Sequence, residues 1–126
     1  MPAVTLAPML DDANREGRAV AGVVVLGWED ACAYVAAAEQ VGCPLILQAG
    51  PGARAHMPVP VIGPMMRHLA DAASVPVAVH LDHGKALDEC LEGLDHGFTS
   101  IMFDGSLLPL EENIATSQQI AEASRQ

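Results

Sequence analysis

The chain has 126 residues, 51% of them hydrophobic, and a formal net charge of −10; that is enough apolar side chain for one domain with its own core, and an acidic balance that argues against nucleic acid or an anionic membrane surface as partner. Its longest apolar stretches, such as 20–28, fall well short of the roughly 20 residues of a membrane span, and the N-terminus has neither the basic nor the apolar region of a secretory signal, so a cytoplasmic location is the default expectation. Cys32, Cys43 and Cys90 form no C-x-x-C pair and support neither a disulfide framework nor a thiolate zinc site; they read as reduced, mostly buried thiols.

Leu6, Met9 and Leu10 at helical spacing predict a leading helix over 5–16, with Gly17 past its end. The valine-rich run 19–26 reads as a strand buried on both faces. A helix over 28–41 follows, closed by Gly42, and then a short strand over 45–48. Residues 49–60 carry Gly and Pro and read as a loop, with Gly50 and Gly52 able to approach a ligand through backbone N–H groups. A helix over 61–73 places Met65, Met66 and Leu69 on one side, and 75–81 is the third strand. In 85–95, Leu87, Cys90, Leu91 and Leu94 have the i, i+3, i+4, i+7 spacing of an amphipathic helix, stopped by Gly97. A fourth strand over 98–103 and a helix over 110–124 complete the chain. Met65, Met66 and Met102 are expected in the core.

Strands that recur every 20 to 30 residues, each reading as buried and each followed by a helix, predict a parallel sheet with right-handed crossovers. Four such units are half of an eight-stranded barrel. The competing architecture, a doubly wound open sheet, normally places a Gly-rich turn after its first strand, and Leu26-Gly27-Trp28 is no such turn. No linker or break in composition divides residues 1–126, which read as one domain.

The chemistry is expected where the third strand ends, in Pro76-Val77-Ala78-Val79-His80-Leu81-Asp82-His83-Gly84. A buried strand fixes its residues while the loop after it exposes them, so an acid and an imidazole at such a tip make a candidate site. Asp82 has a plain alternative as the cap of the helix that begins near Lys85, and His83 as a loop histidine. His80 shares strand parity with Asp82 and is expected below it, as a hydrogen-bonded interior imidazole rather than a ligand. Asp104 ends the fourth strand at the same mouth; its plain reading is a turn former before Gly105.

These residues resemble a known family. Pro44-Leu45-Ile46-Leu47-Gln48, the Pro76–Gly84 run, Gly97-Phe98-Thr99-Ser100-Ile101-Met102-Phe103-Asp104-Gly105-Ser106 and Leu108-Pro109-Leu110-Glu111-Glu112-Asn113 are similar to the class II, metal-dependent ketose-bisphosphate aldolases, from about Val20 onward. The resemblance implies a TIM (β/α)8 barrel of which residues 1–126 supply the leading helix and the first four βα units, an N-terminal half. It implies aldol cleavage of fructose or tagatose 1,6-bisphosphate to dihydroxyacetone phosphate and glyceraldehyde 3-phosphate. Asp82 then matches the acid/base acting on the C4 oxygen, His83 one of three imidazoles that hold a catalytic Zn²⁺, and Asp104 a carboxylate that supports a ligand or takes a second cation.

Two positions depart from the family pattern. The run Ala21-Gly22-Val23-Val24 stands where the family usually carries Ala-Phe-Asn-Val with the Asn in the active site, so that amide is missing, and Gly50 stands where a serine is often found. By the same resemblance the other zinc ligands and the phosphate loops belong to the C-terminal half. The expected partners are therefore a phosphorylated ketose and either a homo-oligomer mate or the missing C-terminal half; the alternative function is a non-catalytic half barrel that stabilises or regulates a partner subunit.

Overall fold

The computed structural model describes residues 3–125. In chain order it forms α1 (Leu6–Arg15), β1 (Ala21–Val24), α2 (Trp28–Val41), β2 (Leu45–Ala49), α3 (Pro51–His56), α4 (Val59–Ala72), β3 (Val77–Gly84), α5 (Leu87–Asp95), β4 (Ser100–Phe103) and α6 (Leu110–Ala123). The strands lie in the order β1-β2-β3-β4, every neighbouring pair parallel. This is the strand succession of a barrel wall, without the reversal of a doubly wound sheet. Among the described residues no helix is long and apolar enough to cross a membrane.

Local chemistry accounts for the helix ends. Asp30, three residues into α2, accepts hydrogen bonds from the Leu26 and Gly27 N–H groups at 2.7 Å each, satisfying donors that the helix start leaves open. Gly42 ends α2 at φ 74°, a left-handed cap that glycine adopts without a Cβ penalty.

Residues 49–60 are not the expected loop: α3 occupies Pro51–His56, and α4 starts at Val59 rather than 61. Proline has no N–H to lose in a first helical turn and its φ is preset for one. Pro51 and Pro60 therefore start helices where a turn reading saw breakers. Gly52 accordingly lies inside α3.

The sheet separates two environments by strand parity. Leu45, Leu47, Ala49, Val77, Val79 and Leu81 face the helix layer, where Ala31, Val35, Ile62, Met66 and Ala70 complete the main core. On the opposite face Ile46 and Ala78 pack under Met9 of α1, with Val4, Leu6 and Val20 around them. That second cluster closes the N-terminal end of the strands, and the Val4 N–H donates to the Val77 carbonyl at 2.9 Å. Further up the same face come Gln48, His80 and Asp82, so polarity rises toward the strands' C-terminal ends.

Three expectations about burial fail. β1 is exposed at Ala21, Gly22 and Val24, and no residue of β4 is fully buried. Both strands stand at the ends of the sheet, where apolar residues have no neighbouring strand on one side. Met102 is likewise 38% exposed rather than core. Of the cysteines only Cys90 is buried; Cys32 is half-buried and Cys43 exposed.

Candidate active site

The tip of β3 carries an irregularity that decides where its side chains go. β3 pairs with β4 through Leu81↔Ile101 and then Gly84↔Phe103, so Asp82 and His83 together oppose the single residue Met102. Side chains normally alternate faces along a strand. Here the extra residue shifts the phase, as a bulge does. Leu81 packs toward α5, where a Cβ on Gly93 would come within 2.7 Å of its Cδ1, and Gly84 faces the same helix, since a Cβ there would meet the Cys90 Sγ at 2.6 Å. Two successive residues between them are thereby freed from the helix layer. His83 holds φ 54° to make this turn, a left-handed backbone conformation uncommon outside glycine.

Asp82 is half-buried, and its Oδ1 lies 3.7 Å from the His80 Nε2. His80 is buried beneath it, its Nδ1 hydrogen-bonded to the Ser100 hydroxyl at 2.8 Å. Burial holds the His80 imidazole below its ordinary pKa; the Asp82 charge opposes that and nearby His83 reinforces it. The interior, hydrogen-bonded imidazole expected at His80 is what the structure contains. Asp82 lies within β3 rather than at the start of α5, whose cap is Ala86, which sets aside the helix-cap reading.

His83 is exposed, and its Nδ1 lies 3.0 Å from Asp104 Oδ2. An ionised carboxylate only accepts, so the Nδ1 of His83 is the donor in this contact, which in a neutral imidazole leaves the lone pair on Nε2. Asp104 also accepts from the Lys85 ammonium, from the Ser106 hydroxyl at 2.6 Å and from the Ser106 N–H at 3.2 Å. Those bonds, the Lys85 one foremost, hold its carboxyl far below the usual carboxylate range. It stays ionised, and the turn role before Gly105 and the contact to His83 coexist in one side chain.

Gly50 and Gly52 separate. Gly50, between β2 and α3, lies beside Asp82, so that a Cβ there would lie 4.0 Å from Asp82 Oδ2, whereas Gly52 meets nothing within 4 Å and lies in α3. Gly50 belongs to the neighbourhood of the acid and Gly52 does not. No group of three or more His, Cys, Asp or Glu side chains with metal-holding geometry occurs among the described residues.

Arg54 escaped the sequence reading. Its side chain is 3% exposed and ion-pairs with Glu89, Nε to Oε1, at 2.8 Å; it also donates to the carbonyls of Ala49, Asp82 (2.7 Å) and His83 (3.1 Å). A signal was present: Arg54 is the only Asp, Glu, Lys or Arg between Glu39 and Arg67. A lone charge flanked by alanines in an apolar stretch must find buried partners.

Comparison with known proteins adds a family to this geometry. A family model described as fructose-bisphosphate aldolase class-II matches residues 4–126. Fructose-bisphosphate aldolases from Staphylococcus aureus and Mycoplasma pneumoniae are 37% and 39% identical to the chain, over 97% and 98% of it. Among solved structures, the YdjI aldolase of Escherichia coli K12 superimposes with a TM-score of 0.88 at 28% identity, and the fructose-bisphosphate aldolase of Campylobacter jejuni with 0.77 at 28%. The first covers 95% of this chain and the second 97%. The match takes in only 43% to 46% of each relative, so the chain spans less than half the length of the relatives it matches.

Proposed function

The chain belongs to the class II fructose-bisphosphate aldolase family, and from that premise we propose that it supplies the N-terminal half of an active site that cleaves a ketose 1,6-bisphosphate. The substrate is fructose or tagatose 1,6-bisphosphate and the products are dihydroxyacetone phosphate and glyceraldehyde 3-phosphate. One observation carries the reading: the bulge at the end of β3 turns Asp82 and His83 away from the helix layer together, and Asp104 from β4 orients the imidazole.

Asp82 is the group that takes the proton from the C4 hydroxyl as the C3–C4 bond breaks and returns it in the condensation direction. Its place above a buried neutral imidazole and beside the side-chain-free Gly50 leaves room for a substrate hydroxyl at its outer oxygen. Gly50, lacking a hydroxyl, contributes to a phosphate only through its backbone.

A divalent metal, zinc by the resemblance, fits this half-site as far as one ligand. The Nδ1–H of His83 is committed to a carboxylate and its Nε2 is free, the tautomer a metal-bound histidine needs. A site open to substrate takes three protein ligands, and the described residues hold no such cluster; the remaining ligands come from the other half of the barrel. When bound, the metal supplies a Lewis acid for the negative charge that develops on the ketone side of the breaking bond. Asp104 keeps the imidazole in its tautomer and orientation; a second cation there would have to displace Lys85.

The test is a coupled cleavage assay with each bisphosphate, on the chain alone and on the chain co-expressed with the C-terminal half of the Staphylococcus aureus relative. The chain alone is expected to show no turnover, and the assembly turnover that chelation removes. Asp82→Asn in the assembly is expected to lower kcat by about 10²- to 10⁴-fold. An assembly that forms and stays inactive with both sugars supports the non-catalytic partner reading, and full activity of the Asp82→Asn variant refutes the role given to that acid.

A further inference from the structure

Arg54 lies in α3 with its side chain 3% exposed, and its contacts converge on one place. A bulge costs a strand its regular ladder, so the two residues it contains must find hydrogen-bond partners elsewhere. The Asp82 and His83 carbonyls find them in a single guanidinium, whose Nη1 donates to the first at 2.7 Å and whose Nη2 to the second at 3.1 Å. Nη1 also reaches the Ala49 carbonyl at the end of β2, and Nε binds Glu89 at 2.8 Å. Glu89 in turn accepts from the Lys85 N–H at 2.9 Å, fixing the first residue after β3.

The geometry points to Arg54 as a positioning residue: its buried, planar fork holds the β3 bulge in the register that aims Asp82 and His83 out of the tip. The assignment rests on the roles given to those two residues above. A guanidinium suits the task because its donors diverge in a fixed plane, so that one side chain sets the spacing between two successive carbonyls. Glu89 compensates the charge, without which a cation this buried would not be tolerated. An ammonium in the same place carries the charge but cannot span the acceptors as a rigid fork.

Nuclear magnetic resonance on the isotopically labelled 126-residue chain tests this without any turnover. In the wild type, the Arg54 side-chain N–H signals are expected to exchange slowly with solvent and to show couplings through the hydrogen bonds to the Asp82 and His83 carbonyl carbons. Arg54→Lys is expected to abolish those couplings, to move His83 out of positive φ, and to shift the amide signals of residues 82–85 while those of Leu47 and Val77 stay in place. An Arg54 in fast exchange overturns the assignment, as does an Arg54→Lys variant with His83 still at positive φ, or shifts spread evenly over the core as loss of general packing would give. Should Arg54→Lys fail to fold, the wild-type chain decides alone: couplings from the Arg54 side chain to both the Asp82 and the His83 carbonyl carbons support the fork, and a folded chain that lacks either of them overturns it. In the enzyme completed with a second half, Arg54→Lys is expected to lower kcat about tenfold to a hundredfold with KM little changed. If the wild-type assembly is inactive while the couplings are present, the aldolase reading fails and the role of Arg54 in the bulge stands.

Discussion

Asp104 illustrates how one side chain can be both a turn former and part of a site. The Ser106 bonds close the turn, the Lys85 bond keeps the carboxylate ionised, and its Oδ2 faces the His83 Nδ1. Replacing it by Asn removes the acceptor charge and permits the other imidazole tautomer, so zinc affinity of the completed site is expected to fall about 10- to 100-fold, as read by competition with a chromogenic chelator; unchanged affinity would show that the contact does not orient the ligand. His80 gives a second prediction at this scale. Its folded-state pKa is held below the ordinary imidazole value of 6.5 by burial, so below that pH the unfolded chain binds the proton more readily than the folded one. The stability due to the neutral imidazole is therefore complete above pH 6.5 and declines as the pH drops below it. Urea midpoints at about pH 7.5 and 5.5 should differ more in the wild type than in His80→Gln, and equal differences would disprove the linkage. Strand parity made His80 legible in the sequence. Asp82 and His83 were legible only as a pair at a tip, because strict alternation would have sent them to opposite faces; nothing in their own identities announces the bulge.

Helices and strands were more readable than the joints between them. α2 begins and ends at the expected residues because Asp30 and Gly42 mark its ends with side-chain and backbone chemistry. α3 was invisible for the opposite reason: Pro51 and Gly52 are turn formers by composition, and the helix forms because Pro51 suits a first turn and Arg54 has buried carbonyls to reach. The sequence also gave no sign of how closely α4 approaches the end of α5. Gly63 permits that approach, since a Cβ there would lie 2.4 Å from the His96 carbonyl oxygen and 3.0 Å from the Phe98 ring. The obstructing atom is backbone at a helix end and cannot swing aside. Gly63→Ala is accordingly expected to destabilise the chain by about 1–3 kcal/mol, seen as a lower urea midpoint with an unchanged slope, whereas Gly52→Ala, with open space around it, should be neutral or slightly stabilising. A tolerated Gly63→Ala would mean that α4 and α5 are not packed this closely in solution.

At the scale of the molecule, the succession of parallel strands was the most legible feature and the burial of its outermost members the least. Periodicity registers apolar content, and β1 and β3 each carry two valines; which of them has neighbours on both sides is a property of the sheet. β1 and β4 occupy its two ends. Val24 is 48% exposed and Leu26 64% exposed beside one edge, and an open groove beside the other is lined by Leu6, Phe98, Ile101, Phe103 and Ile120. Unpaired parallel edges with apolar flanks are templates for further strands. The net charge of −10 works against association, and salt screens that repulsion over a Debye length that shrinks from about 30 Å at 0.01 M to about 8 Å at 0.15 M. The chain on its own is therefore expected to associate as its concentration rises, and more so in salt, as measured by sedimentation velocity. Val24→Lys, which places a charge on the β1 edge without touching either core cluster, should reduce that association, and so should supplying the C-terminal half of a relative. A chain that remains monomeric at high concentration and moderate salt would mean that its edges are protected, and that it has no need of a complementary half to cover them.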